Sequence, residues 1–336
     1  MRPRGPSTIL PMEPVTIAAT GGLGNQLFQF AAAVGIARAT GRPIEICCRM
    51  YDRPAVRRAF VAVRRAVRGL WTDADGRFRL DAMARGPVIL EVQRLARATD
   101  RRTDLRRGMS RRSLKESFRD PGFRIAGADV LRTAQESLDA IDGRRCIPPQ
   151  VRPLIAGFMQ DDRLVRPVLD RLRDALSLPE RSPYLDRWLA AAGGERTVGV
   201  HVRRGDYLKP AFRDSIPVLP AAWYARAAAI LRERHGDVSF LVITDEPGWA
   251  RRELRLPGPT TVASADHPAS AQEDLALLRA CRHHVISNST FGWWGARLAR
   301  PGGTVVAPAR WLLGQEADPN LLPTEWTALD NPENDR

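Results

Sequence analysis

Lysine is almost absent from this chain of 336 residues: Lys115 and Lys209 are the only two among 52 basic side chains, leaving 50 arginines. Beside so much alanine, that skew has the look of a GC-rich coding bias, so part of the formal net charge of +14 need answer to no partner. Cysteine is scarce too, with four: Cys47, Cys48, Cys146 and Cys281. There is no CxxC pair, and the neighbours Cys47 and Cys48 cannot readily bridge each other. This excludes a disulfide-stapled miniprotein and fits cysteines used as small hydrophobes in a reducing compartment. The histidines (His201, His235, His267, His283 and His284) share no metal-ligand spacing with them. No run approaches the roughly 18 apolar residues of a membrane span. The start, MRPRGPSTILPMEP, has only Ile9 and Leu10 as an apolar patch and is no secretory signal. The expectation is a soluble cytoplasmic protein with a frayed tail over residues 1–14.

What is present is a globular balance, 44% hydrophobic and 27% charged. The charge is uneven. Residues 53–112 hold 17 arginines and 6 acidic residues, a local net of +11, which leaves +3 for the rest. Such a segment raises the question of nucleic acid. Its only aromatics are Phe60, Trp71 and Phe78, so the interleaved stacking residues of a strand binder are missing, and no nucleic-acid partner is expected. Val56, Phe60, Val63 and Val67 lie on one face of a basic helix. That face docks on its own domain, or else on a membrane surface or a partner helix.

Periodicity orders the elements. Residues 15–20 (VTIAAT) predict a buried strand and GGLGN a turn. Leu27, Phe30, Ala31, Val34 and Ala37 mark a helix over 26–40 that Gly41 ends, and 43–48 gives a second strand. This is a βαβ unit. WTDADGRF (71–78) predicts a hairpin turn, and 163–178 a helix stopped by Pro179 to Pro183. Strands follow at 197–202, 238–244, 284–287 and 304–307, and helices at 221–234, 271–281 and 290–300. Ser270 and Glu273 form a capping box at the second of these helices. Strands alternating with such helices give a parallel, doubly wound α/β sheet. The simplest architecture is two such domains with a cleft between them. The first spans 15–180 with the arginine-rich insert at 53–112, the second spans 190–326, and 327–336 is a tail.

Ligands of open α/β sheets bind beyond the carboxyl ends of the strands. The predicted strands end in GGLGNQ (21–26), RRGDY (203–207), TDE (244–246), SNST (287–290) and APARW (307–311). The unusual polar residues therefore share one edge. GGLGNQ lacks the third glycine of a dinucleotide fingerprint, having Leu27 instead. It serves better as a turn that lets a ligand or a facing backbone approach Gly22 closely. Asn25 and Gln26 either cap the following helix or donate to a sugar hydroxyl. Arg203 and Arg204 at a strand end suit an anion, since arginine offers a planar fork matched to phosphate oxygens. The alternative is an arginine–Asp206 pair that ties the loop down. Ser289 and Thr290 stand at a strand-to-helix turn, either as a phosphate site or as a helix cap. Phe291, Trp293 and Trp294 read as core. Asp73 and Asp75 match a DxD metal motif but are better explained as a turn, so no metal site is expected.

GGLGNQLFQFAAA, GFMQDD, HVRRGDYL, ITDE, DLALLRACRHHVISNSTFGWWGARLA and VVAPARW occur in this order. With them the chain resembles the bacterial α1,2-fucosyltransferases, glycosyltransferase family 11, over residues 15–50 and 154–326. More distantly it is similar to α1,6- and protein-O-fucosyltransferases. The resemblance implies a GT-B-like fold, two Rossmann-like doubly wound domains facing across a cleft. It implies GDP-β-L-fucose as donor, the 2-hydroxyl of a β-galactoside as acceptor, inversion of configuration, and no metal or other cofactor. The acceptor would be a surface glycan or a lipid-linked oligosaccharide. The arginine-rich insert could then rest peripherally on the inner membrane face.

By motif position, the resemblance places Arg203 and Arg204 on the donor diphosphate and His201 near the nucleotide. It places Asp274 on the guanine and Ser289 and Thr290 on the β-phosphate. Asp245, Asn288 and the Gly22, Asn25, Gln26 turn fall at the same ligand. Asp206 is the candidate base or an orienter of Arg203, with Asp161 and Asp162 as alternatives. The chain departs from the family pattern in four places. Phe158 and Met159 stand where two aromatics are usual, and Asp161 and Asp162 where Ser-Glu is common. Glu246 ends what is elsewhere an Asp-Asp pair, and Gly292 replaces a serine.

Overall fold

The computed structural model describes residues 12–18, 20–42, 44–47, 127–175, 182–210, 212–263 and 271–331. The basic helix around Val56, the 71–78 hairpin, the whole 53–112 segment, Cys48 and the Ser270 cap lie outside the described residues. The described elements belong mostly to two compact units.

The first unit holds β1 (Val15–Ala18), α1 (Leu23–Thr40), β2 (Ile44–Cys47), β3 (Ala128–Leu131), α2 (Ala134–Ile141) and β4 (Arg152–Ile155). After them come α3 (Asp162–Val165), a 3-10 turn (Arg166–Val168) and α4 (Leu169–Ala175). Its sheet runs β2-β1-β4-β3, all parallel. Every residue of β1 is buried, as expected of a strand covered on both faces. Helix α1 starts three residues earlier than periodicity predicts, so Gly24 and Asn25 are helical and the turn shrinks to Gly21 and Gly22. Its end is as expected: Gly41 takes φ +72°, and its N–H returns to the Ala37 carbonyl at 2.8 Å. The single helix expected over 163–178 is broken into three pieces, with Pro167 inside the 3-10 turn. Strands β3 and β4 and helix α2 were not foreseen. Each strand has four residues, too few to show a period, and Pro153 inside β4 argues against a strand.

The tail expected over 1–14 is anchored at its end. The Glu13 N–H donates to the Pro149 carbonyl at 2.9 Å, and the Glu13 carboxylate takes Arg152 Nη2 at 2.7 Å. Below it lies Arg42, 2% exposed. Its Nη1 donates to the carbonyls of Glu13, Val151 and Pro149 at 2.9, 2.8 and 3.4 Å. Its Nη2 donates to those of Ile147 and Pro148, both at 2.8 Å. One guanidinium thus satisfies an irregular stretch that has no ladder of its own.

The second unit holds α5 (Pro183–Ala192), β5 (Thr197–Val202), α6 (Ala221–His235), β6 (Ser239–Thr244), α7 (Pro247–Glu253) and β7 (Thr260–Val262). It continues with α8 (Ala271–Ala280), β8 (His283–Ile286), α9 (Thr290–Leu298), β9 (Val305–Pro308) and β10 (Thr327–Leu329). The sheet order is β10-β9-β8-β5-β6-β7, again all parallel. Val198, Val200 and Val202 of β5 pack with Trp223, Tyr224, Ala227 and Leu231 of α6. Leu241 and Ile243 of β6 pack with Tyr184 and Leu185 of α5 and Leu277 of α8. Helices therefore cover both faces of a doubly wound sheet. Residues 327–329, expected to belong to a tail, instead form the edge strand β10, paired with β9. His283 and His284 open the inner strand β8.

Arg42→Lys keeps a cation but cannot reach five carbonyls from one nitrogen. It should lower the stability of the first unit by at least about 2 kcal/mol, read as a shift in the urea midpoint. An unchanged midpoint would mean that water satisfies these carbonyls equally well.

Candidate active site

In the second sheet β5 and β8 are neighbours, and the chain winds away from them in opposite directions. Their carboxyl ends form the topological switch point, where doubly wound sheets bind ligands. The residues beyond β5 are Arg203 to Tyr207, and those beyond β8 are Ser287 to Thr290.

Asp245, at the end of β6, holds the first loop. Its carboxylate accepts the backbone N–H groups of Arg204 and Gly205, each at 3.0 Å. The same carboxylate lies 3.3 Å from Arg203 Nη1. Asp206 takes Arg203 Nε and Nη2, both at 2.9 Å. Burial opposes the Arg203 charge, but Asp206 and Asp245 outweigh it and raise its pKa. The outcome is a permanently charged fork fixed by two carboxylates. Arg204 turns away, its guanidinium lying over the Trp249 ring at 3.9 Å. Of the two arginines expected on an anion, the structure orients Arg203 and stacks Arg204.

The second loop starts helix α9. Ser289 is its N-cap, and its Oγ accepts the Phe291 N–H at 3.3 Å. Thr290 is the first helical residue. Tyr207 ties the two loops together: its hydroxyl donates to the Asn288 carbonyl at 3.1 Å, and burial pushes its pKa up to about 12. His201, on β5, is buried, with Nδ1 3.0 Å from Ser287 Oγ and its ring against Phe291. Burial and the nearby Arg203 push its pKa down to about 3, so the ring is neutral. A Cβ at Gly292 would come within 2.6 Å of His201 Nδ1. The glycine that stands where a serine is usual is what lets this ring seat against α9.

Asn288, expected at the ligand, is 4% exposed; its Nδ2 donates to the Pro217 and Trp311 carbonyls at 3.0 and 3.1 Å, and its Oδ1 is buried with no hydrogen-bond partner among the described residues. The Asp245 oxygens meet backbone amides and Arg203. Asp206, the candidate base, is engaged by Arg203 Nε and Nη2. Trp293 and Trp294 are core, as expected, both fully buried.

Asp274, in the first turn of α8, accepts the Tyr184 hydroxyl at 2.8 Å. Burial pushes its carboxyl up to about 6 against that bond. The neighbouring Glu273 accepts Ser182 Oγ. In the first unit, Gln26 Nε2 donates to the Gly21 carbonyl at 2.8 Å, and Asn25 Oδ1 accepts Gln160 Nε2 at 3.0 Å. Space around Gly22 is open. Asp161 caps α3 and pairs with Arg163 at 2.6 Å. Among the described residues no three His, Cys, Asp or Glu side chains cluster as metal ligands, and no helix is long and apolar enough to cross a membrane. Tyr207, Ser287 and Gly292 were missed as site residues. For Tyr207 the signal was its place in the same short motif as Arg203.

An oriented arginine fork beside a helix start, at the switch point of a doubly wound sheet, is an arrangement suited to an anionic group. Residues 155–329 match the model of Glycosyl transferase family 11, and the chain belongs to that family. It is 32% identical over 136 residues to the O-antigen biosynthesis glycosyltransferase WbnK of Escherichia coli, covering 40% of this chain and 44% of that one. It is 36% identical over 126 residues to the galactoside 2-alpha-L-fucosyltransferase SEC1 of Bos taurus, covering 34% and 32%. The chain thus spans less than half the length of these curated relatives. Among solved structures it is similar to the fucosyltransferase NodZ from Bradyrhizobium, with a TM-score of 0.43 and 16% identity, over 85% of this chain and 94% of that one.

The buried histidines set a pH limit on the second unit. Beside His201, burial pushes His283 and His284 down to about 4. Between pH 6.5 and about 4 the unfolded chain takes up protons that the folded one refuses. Their stabilising contribution is therefore complete above 6.5 and lost as pH falls through that window. Urea midpoints at pH 7, 6, 5 and 4 should fall in order. His284→Gln, whose amide can still donate to the Leu278 carbonyl, should flatten the slope. An unaltered slope would contradict the neutral, buried state of His284.

Proposed function

We propose that the protein transfers L-fucose from GDP-β-L-fucose to the 2-hydroxyl of a β-galactoside, with inversion and without a metal ion. The observation that carries this reading is Arg203, a guanidinium held in one orientation by Asp206 and Asp245 beside the start of α9. Departure of GDP puts negative charge on the diphosphate, and fixed donors stabilise it without reorganising. In this reading Arg203 and the amides and hydroxyls at Ser289 and Thr290 supply those donors. Membership of glycosyltransferase family 11 and relatives named galactoside fucosyltransferases support the sugar and the acceptor class. Two Rossmann-like units forming a GT-B enzyme, with the acceptor entering from the first unit, complete the proposal. The second reading within it is GDP-fucose transfer to another hydroxyl. The acceptor glycan, free or lipid-linked, and a peripheral place on the inner membrane face belong to the same proposal.

Because Arg203 holds Asp206 tightly, Asp206 serves as the orienter of the fork. The acceptor proton is then left to another carboxylate; Asp161 is itself held by Arg163, which makes Asp162 the candidate of the two. Asp274 reads guanine, whose N1–H and 2-amino group present two donors to one carboxylate.

Arg203→Lys should lower kcat by about 10²–10³, since a lysine keeps the charge and loses the fork. Transfer of labelled fucose to N-acetyllactosamine measures it, and near-full activity would remove Arg203 from the diphosphate. The same assay should run undiminished in EDTA. Loss of turnover restored only by added metal would sink the metal-free mechanism.

Asp274→Asn should weaken GDP binding about tenfold, with ADP as the control, because an amide faces one guanine donor with its own N–H. In the native chain GDP affinity should also fall as pH drops through about 6, where Asp274 takes up a proton. Calorimetric titration across pH 5 to 7.5 reads both effects, and a flat profile would leave guanine recognition to other residues.

A further inference from the structure

Among its described residues the first unit presents one large aromatic to water, at a place where the chain is locked on both sides. In the first sheet the carboxyl ends of β1 and β4 lie side by side in the middle, which is where such sheets take ligands. Beyond β4 the chain reads Gly157, Phe158, Met159, Gln160. Gly157 cannot change, since a Cβ there would sit 1.8 Å from the Arg132 carbonyl oxygen, and its own carbonyl accepts Gln29 Nε2 at 2.9 Å. Met159 is the only non-glycine residue with positive φ among those described, at 56°. It is buried, and Ser137 Oγ donates to its Sδ at 3.4 Å. An unbranched side chain in the left-handed region signals a conformation imposed by its surroundings. Between these two fixed residues Phe158 is 50% exposed.

We infer that Phe158 is a stacking platform for the β-galactoside ring of the acceptor. This deepens the transferase reading and rests on it. The chemistry at the loop favours a neutral sugar over a phosphate. Asp161 and Asp162 follow directly, Arg163 is spent on Asp161, and the Gln160 amide is steadied by Asn25. A galactopyranose offers a continuous C–H face to an aromatic ring and hydroxyls to amides and carboxylates. The departure at 159 fits as well: with one aromatic turned outward, the buried neighbour is free to be a methionine that fills the core.

The test uses the full chain and methyl β-D-galactoside followed by saturation-transfer NMR, with GDP calorimetry on the same samples. Phe158→Ala should weaken galactoside binding about tenfold. Phe158→Tyr, which keeps the ring, should stay within about twofold, and GDP affinity should hold in both. Galactoside binding that survives Phe158→Ala overturns the inference. So does a loss as large in Phe158→Tyr, or a parallel loss of GDP binding, which would make the ring a support of the fold. A native chain that binds GDP and no galactoside overturns the platform and leaves the donor reading standing. One that binds neither removes the transferase reading itself.

Discussion

One carboxylate organises the edge of the second sheet. Asp245 reaches from the end of β6 to the backbone N–H groups of Arg204 and Gly205 and to the Arg203 fork. The spacing of HVRRGD follows from that grip. Position 205 must be glycine because a Cβ there would lie 2.8 Å from Asp245 Oδ2. Position 206 must carry a short acid because the Arg203 Nε–H would otherwise lose its partner. Position 204 is left to turn outward and finds the Trp249 face. A backbone requirement, two N–H groups needing one acceptor, fixes where a cation is presented.

Sterics set the adjoining edge. His201 is neutral because it is buried beside Arg203; Ser287 meets its Nδ1, and α9 carries no Cβ at 292 where the ring packs. With the ring neutral, the cations described just beyond β5 are Arg203, held by two carboxylates, and Arg204, laid over Trp249. A charged His201 beside Arg203 would raise the cost of desolvating both. Tyr207 then links the loops with a single hydroxyl, so the arginine and the helix start are positioned by one network.

The second unit was legible because its strands and helices are long enough to show their periods. β5 is bounded as its pattern predicts, and α6, α8 and α9 begin where their patterns place them. Besides α5, ten residues in a stretch read as a domain boundary, what escaped was short or contradictory: β7 and β10 have three residues each, β4 contains a proline, and α7 sits in a stretch with no apolar stripe. For the site, residue type marked the right edge but not the contacts within it. Asp245 and Asn288 have the chemistry of ligand contacts, and the loops there also draw on them as acceptor and donor. Arg203 is oriented by its partners, which leave its charge in place.

The positive charge that dominates the composition is therefore a poor guide to where charge acts. Residues 53–112 carry most of the net excess, while the arginine oriented at the second sheet's edge is held between two carboxylates, Asp206 and Asp245. Orientation is what makes it useful, since a fixed guanidinium can meet an anion without moving. The first sheet's edge is built from the opposite materials: amides at Asn25, Gln26 and Gln160, carboxylates at Asp161 and Asp162, and the outward ring of Phe158. Each of the two sheets gathers polar groups beyond the middle of its carboxyl edge, as the parallel winding dictates. A single winding rule applied to two sequences thus yields one edge that presents a fixed guanidinium and one that presents amides, carboxylates and an exposed ring, the difference on which the proposed donor and acceptor roles rest.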